Sequence, residues 1–389
     1  MALVEEIVAM EAELTAWRRD LHAHPELGFE ENRTADFVAS KLEEFGIQVV
    51  RGIGKTGVVG VLKEGNETRS IGLRADMDAL PIDEQNSFEY RSTCRGSMHA
   101  CGHDGHTTML LATARYLAET RNFQGQVNFI FQPAEEGIGG ARAMIEDGLF
   151  DQFPCDQLFA MHNGPGLPVG KYAAVSGLRT AAGAFFDIDI TGRGAHGAQP
   201  DRGVDPVVIA GAMISALQTV ISRNTPAGET AVVSVTQVHA GDAYNVIPET
   251  ARLAGTVRAM SLQLLQKIEA RMAEIANGIA TAHGGVASMD FRTIFHPVIN
   301  DPAATESAAR ACAAVAGQEN VILEAPPGTG SEDFSFMSEQ VPSCYVIVGN
   351  GENSTPLHNP GYDFNDKALV YGASFFATVV EQLLAPESS

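Results

Sequence analysis

Between His99 and His106 the run HACGHDGH holds three histidines, one cysteine and one aspartate, and an apolar stretch, TTMLLA, follows. Such a cluster can hold a metal, activate a thiol, or simply open a helix. Gly102 lets the backbone turn tightly enough for the Cys101 thiolate and the His103 imidazole to face one point. Three other places could contribute: the adjacent Glu135 and Glu136 in QPAEEG, His162 in AMHN, and His358 in the Pro- and Gly-bounded loop PLHNPGYDF. Thiolate, imidazole and carboxylate together suit zinc and related first-row divalent ions. Adjacent glutamates leaving a strand point in different directions, so one can ligate a metal while the other faces a water held there. Nearby cations would keep both carboxylates ionised. Taken singly, each feature has a bland alternative, a helix start for Cys101 and His103 and an exposed acidic turn for EEG. Their combination gives the metal reading its weight.

The elements around these residues tell where they should meet. Leu3, Ile7, Met10, Leu14, Trp17 and Leu21 recur at helical spacing, which predicts an amphipathic helix ending before Pro25, and a second helix follows near residues 34–45. Strand-like runs then alternate with helices: GVVGVL, SIGLRAD, the helix after His103, QVNFIFQ, GGARAMIED and QLFAMH. This rhythm predicts an α/β fold with a mainly parallel sheet covered on both faces. Asp76 and Asp78, Glu135 and Glu136, and His162 all fall near strand ends, where open α/β sheets place their sites.

Between about residues 179 and 292 the order becomes strand, helix, strand, strand, helix, strand, the ferredoxin-like βαββαβ unit. The chain therefore reads as a catalytic domain, 1–178 and 293–389, carrying an inserted domain, 179–292. The first rhythm resumes with a helix near residues 305–316, the strand CYVIVGN, and a final helix over about residues 365–384.

Composition narrows the partners. The 389 residues carry 26 Lys and Arg against 48 Asp and Glu, a net charge of -22, so the overall field repels nucleic acid and anionic membranes. No stretch approaches the roughly 18 apolar residues that cross a bilayer, and the acidic, amphipathic amino terminus is unlike a secretion signal. Five scattered cysteines suit free thiols in a reducing compartment, and the expectation is a cytoplasmic protein. Cys94, Cys155, Cys312 and Cys344 read as packing residues.

The ordered motifs LHAHPELGFEE, LRADMDALPI, MHACGHDGH, QPAEEG, MHN, GAHGAQP, NVIPE, GTVRAM, GSEDFSFM and LHNPGYDFND resemble the M20 metallopeptidase superfamily nearly end to end. The resemblance is to its amidohydrolase branch of hippurate hydrolases, auxin-conjugate amidohydrolases and N-acyl-amino-acid deacetylases. It implies a catalytic domain with two divalent ions, Zn or Mn with Ni or Co as alternatives, and a ferredoxin-like lid that forms a homodimer. Carried onto this sequence, it makes Cys101, His103, Glu136, His162 and His358 the metal ligands, with Cys101 bridging, and Glu135 the general base. Asp78 would orient a ligand histidine by accepting its free N–H. Asp104 and His106 either support the ligands or start the helix. The resemblance also assigns His196 to stabilising the developing oxyanion across a subunit boundary, and Asn245, Arg258, Gly330 and Ser331 to binding a substrate carboxylate. Arginine suits that task because its fork matches two carboxylate oxygens. His22, His24, His239, His283 and His296 receive no role.

A nucleophilic Cys101 is the rival chemistry, but it would leave the paired glutamates without work, and no Cys-x-x-Cys offers a redox partner. The implied reaction is metal-dependent hydrolysis of the amide of an N-acyl-L-amino acid, of hippurate or N-acetyl type. The alternatives are a dipeptidase or carboxypeptidase of the same superfamily, or a non-catalytic metal-binding descendant.

Overall fold

The computed structural model describes residues 3–386. The chain packs as two units: one holds the chain up to Arg179, Val298–Pro326 and the chain from Asp333 on, and the other holds Thr180–Pro297 with Pro327–Glu332.

In the first unit, eight strands form one sheet. Their spatial order is Gln48–Ile53, Gly57–Glu64, Gly125–Gln132, Ser70–Asp76, Gln157–Pro165, Ser343–Gly351, Tyr172–Ala173 and Val321–Ile322. The middle four run parallel, and the first two are antiparallel additions at one edge. Ser70–Asp76 is buried at every position, as expected for a central strand with both faces covered. The long helices His103–Thr120, Pro302–Ala316 and Ala368–Leu383 bury apolar residues against this core. Asp76 is the last residue of its strand and pairs in register with Gln132, the last of the next, while His162 pairs with Ile347 in the adjoining parallel pair. The polar residues therefore gather at the carboxyl ends of the parallel strands. The predicted first helix is two, Glu5–Ala9 and Glu11–Ala23, because Met10 donates its N–H three residues back to Ile7 and tightens the turn before the helix restarts.

The second unit is a four-stranded antiparallel sheet, ordered Ala231–Ala240, Thr250–Ala259, Ala182–Thr191 and Val286–Phe295. With the helices Pro206–Asn224 and Leu262–Ala282, its chain order is the βαββαβ read from the sequence. Alternation does the work in Ala182–Thr191: Ala184, Phe186, Ile188 and Ile190 are buried, while Phe185 and Asp189 are exposed. Both helices start on side-chain caps, Asp205 accepting from Val207 and Val208, and Ser261 from Leu264. Pro327–Glu332 lies outside the 179–292 segment, and the Gly330 carbonyl accepts the Ala181 N–H at 2.9 Å within this unit.

Pro206–Asn224 is long and apolar enough to cross a membrane by length and composition, which corrects the expectation that no stretch approaches that length. Its length reflects an uncharged run between Asp205 and Arg223. Ile209, Met213, Leu217 and Val220 on it are buried in the core of this unit.

Beside the strand ends of the first unit, Arg18 is fully buried, with Nε 3.0 Å from Asp104 Oδ2 and a second ion pair to Asp363. His22 Nδ1 lies 2.8 Å from the same Asp104 oxygen, and His22 Nε2 lies 3.2 Å from Glu84. Burial alone would raise the Asp104 carboxyl, but Arg18 and then His22 hold it well below the usual carboxylate range. A depressed acid adds stability above its unfolded pKa and loses it as pH falls through the folded value. Removing one partner of a buried pair strands the other charge, so Arg18→Leu should lower the unfolding free energy at pH 7 by about 3–5 kcal/mol. Its acid unfolding should also move to higher pH. Denaturant melts across pH would test this, and a loss below about 1 kcal/mol would show that Asp104 does not need Arg18.

Candidate metal centre

His103 opens the His103–Thr120 helix behind Gly102, whose φ of 92° is a left-handed conformation that glycine adopts without strain. The His103 ring is fully buried. Nδ1 donates to Asp78, 2.9 Å from its carbonyl and 3.1 Å from Oδ1, which leaves the Nε2 lone pair for other use. His162, near the end of Gln157–Pro165, bonds the Asn163 carbonyl through Nδ1 at 2.7 Å, so Nε2 faces Cys101 Sγ at 3.4 Å. His358 reaches inward from its loop in a left-handed backbone, φ 60°, fixed by its N–H to the Ala100 carbonyl, and its Nε2 lies 3.4 Å from Glu136 Oε1.

The Glu135–Glu136 turn is strained in the same way. Ala134 has φ 52°, an uncommon value for a residue with a Cβ. Three buried carboxylates hold this loop by its amides: Glu31 accepts from Ala134, Asp78 from Glu136 and Asp333 from Ala141. Glu135 itself is 6% exposed and accepts the Asp333 N–H at 3.3 Å. Burial pushes Glu31 up to about 6.

These residues form overlapping groups whose candidate ligand atoms lie within 4.8 Å of one another: Cys101, Glu136 and His358; Cys101, His103 and His162; and His103, Glu135 and Glu136. All five expected ligands and Glu135 thus belong to one cluster, and Asp78 lies behind His103, in contact with its Nδ1. Two buried polar atoms in the middle, His103 Nε2 and Glu136 Oε1, have no hydrogen-bond partner among the described residues. Orphans of this kind are costly unless something fills the space between them.

Charge points the same way. Burial, then Glu136, Glu135 and Asp76, pushes the Cys101 thiol well above its ordinary range, unlike a reactive thiolate. Burial opposes protonation of His103, yet Asp76 and Asp78 prevail and raise it to about 10. Burial and then His106 push His162 well below its usual value, leaving a neutral imidazole with a free lone pair. The donor set therefore calls for positive charge where Nε2 of His103 and Oε1 of Glu136 meet, and it fits divalent cations.

His106, left open by the sequence, has both ring nitrogens committed: Nδ1 lies 2.6 Å from Asp76 Oδ1, and Nε2 accepts the Asn163 N–H at 3.0 Å. Asp104 takes part in the buried ion cluster of Arg18 and His22, so His22, given no role from sequence, supports the start of the ligand-bearing helix. Other contributors also escaped sequence reading. Arg74 binds Gln132 Oε1 and Asp76 Oδ2 at 2.8 Å each, and Gln132 in turn donates to Asp333. Cys312 and Cys344 are buried as expected, whereas Cys94 is exposed.

The remaining expected residues lie in the second unit. His196 is exposed and pairs through Ala195–His196 with Val246–Ile247, and the Gly197 N–H donates to the Asn245 carbonyl. Arg258 and Ser331 face each other across Gly183, where an added Cβ would stand 2.8 Å from Ser331 Oγ and 3.2 Å from Arg258 Nη1. Ser331 Oγ is buried and has no hydrogen-bond partner among the described residues. Gly330 is exposed beside it.

Comparison with known proteins agrees with this geometry. Residues 72–382 match the model of Peptidase family M20/M25/M40. A hippurate hydrolase from Campylobacter jejuni is 43% identical over 384 residues, 99% of this chain and 100% of its own. An N-acetylcysteine deacetylase from Bacillus subtilis is 38% identical, covering 95% of this chain and 96% of its own. The crystal structure of the Bacillus subtilis YXEP protein, described as a dinuclear metal binding peptidase from the M20 family, superposes with a TM-score of 0.82 at 35% identity, covering 97% of this chain and 99% of that one. The chain belongs to Peptidase family M20/M25/M40.

Proposed function

We propose that the chain is a two-cation amidohydrolase that cleaves N-acyl-L-amino acids into a carboxylic acid and a free amino acid. The observation that carries this reading is the meeting of Cys101, Glu136 and His358, remote in sequence, around His103 Nε2 and Glu136 Oε1, which have no hydrogen-bond partner among the described residues, with Glu135 beside them. The names of the hippurate hydrolase and deacetylase relatives support it. Cys101, His103, Glu136, His162 and His358 would hold the ions, Zn or Mn with Ni or Co as alternatives. When bound, such ions supply Lewis acidity that lowers the pKa of a water from about 15.7 towards 7.

The rest is work for the chain. Glu135, held on the Asp333 amide, takes the proton of the attacking water and returns it to the departing amine. General acid–base transfer of this kind is worth roughly 100- to 10,000-fold in rate. His196 donates to the oxygen on which negative charge develops, reaching the site of a partner subunit. Arg258, Asn245, Gly330 and Ser331 take the substrate carboxylate, with Arg258 as the charge and the unsatisfied Ser331 hydroxyl as a donor. The homodimer would form through the inserted unit, whose outer strand Ala231–Ala240 has one edge unpaired among the described residues and exposes Val232 and Val238, while the helix Pro206–Asn224 exposes Val207 and Val208. Free cysteines suit a cytoplasmic enzyme.

Dialysis against a chelator should abolish hydrolysis, and Mn, Co, Ni or Zn should restore it. Turnover indifferent to chelation would reject the reading. A panel of acetyl, benzoyl and indoleacetyl conjugates, with free dipeptides included, would then rank the acyl groups and separate this activity from a peptidase. Glu135→Gln should keep its metal content and lose roughly 100- to 10,000-fold in kcat, and near-normal turnover would remove Glu135 as the base. Mixing His196→Ala with Glu135→Gln should regenerate activity in heterodimers, whereas no recovery would place both residues' work within one chain.

A further inference from the structure

His358 is carried by an exposed loop, yet a ligand must be placed to within a fraction of an ångström to share an ion with residues on separate elements. The placement traces to Asn163, which follows His162 and is 1% exposed. Its Nδ2 donates to the Cys101 carbonyl at 2.6 Å and lies 3.1 Å from His106 Nε2. Its Oδ1 accepts the hydroxyl of Tyr362, a fully buried side chain four residues past His358, at 2.6 Å. Its carbonyl orients His162, and its N–H meets His106. Turning the amide over would set oxygen against the Cys101 carbonyl, so only one orientation satisfies all partners.

The space around this amide is closed. A Cβ at Gly102 would lie 2.3 Å from Asn163 Nδ2 and 2.7 Å from Tyr362 Oη, so glycine is required there for room as well as for its left-handed backbone. Tyr362 is also held by its main chain: its carbonyl accepts from Asn86, and Gln85 donates to the neighbouring Pro360 carbonyl. We infer that Asn163 and Tyr362 are positioning residues for the cation centre, with one carboxamide locking the Cys101, His162 and His358 segments into a single geometry.

This inference rests on the two-cation reading, and its test is cation binding rather than turnover. Chelator-treated full-length protein is titrated with Co(II), following the thiolate-to-cobalt charge-transfer band as a report on Cys101 and measuring Kd by competition with a metal-binding dye. Loss of an outer partner of a ligand typically costs 10- to 100-fold in metal affinity. Tyr362→Phe, which keeps the ring, should raise the Kd about 10- to 100-fold while the metal-free melting temperature moves by only a few degrees. Asn163→Asp, which keeps the acceptor for Tyr362 but sets oxygen against the Cys101 carbonyl, should weaken binding further and alter the band. At saturating cobalt, kcat should recover more fully in Tyr362→Phe than in Asn163→Asp, with KM unchanged in both. Wild-type affinity and an unaltered band in both variants would overturn the inference. Failure of the wild-type chain to take up cobalt would instead overturn the reading of function on which it rests.

Discussion

Unbalanced negative charge is the constraint on which the first unit is built. Asp76, Asp78 and Glu135 are buried with Cys101 around one point, and the mostly buried Glu136 side chain lies beside them, while Arg74, His103 and His106 are the cationic or polarisable groups in contact. Burying carboxylates without compensation costs several kcal/mol each. The fold compensates in layers. Asp78, Glu31 and Asp333 each accept a main-chain N–H of the 134–141 segment, which turns part of the excess charge into the force that shapes the Glu135–Glu136 turn. Arg74 and His106 divide Asp76 between them. What stays unbalanced is confined to the gap between His103 Nε2 and Glu136 Oε1, so the polypeptide concentrates its electrostatic deficit where an ion would sit.

Much of this was legible in the sequence. The alternation of strands and helices and the βαββαβ insertion follow from periodicity, which local sequence carries directly. The residues of the cluster stood out as well, because cysteine, histidine and paired glutamates near strand ends are uncommon together. The supports were not. Asn163 and Tyr362 are 199 positions apart, Arg74 and Asp333 are 259 apart, and each looks like an ordinary polar or aromatic residue until the chain closes. Their roles are pairwise and long-range, whereas sequence patterns are local. For the same reason nothing in the sequence marks Pro327–Glu332, outside the 179–292 segment, as packing with Thr180–Pro297. Its membership in the inserted unit depends on contacts such as Gly330 to Ala181, which no period reveals.

The inserted unit solves a different problem from the first. Its sheet buries one face under two helices, and its outer face carries charged groups: Asp187 is paired with both Arg252 and Arg292, while Arg258 stands at the opposite end of the strands beside Gly183 and Ser331. Asp187 is drawn below the usual carboxylate range, first by its hydrogen bond to Arg292. Among the described residues Arg258 hydrogen-bonds to neutral partners, the Thr256 hydroxyl and the Val257 carbonyl.

The left-handed backbone at His358 limits how this centre can change. Few residues with a side chain tolerate that region, chiefly asparagine, aspartate and histidine, and of these only aspartate would offer an anionic ligand in place of the imidazole. Cysteine or glutamate at 358 would first require the loop to be rebuilt. On the proposed reading of His358 as a ligand, His358→Asp is the one exchange at this corner that keeps the backbone, and it would make an acid-rich pocket harder and better suited to manganese than to zinc.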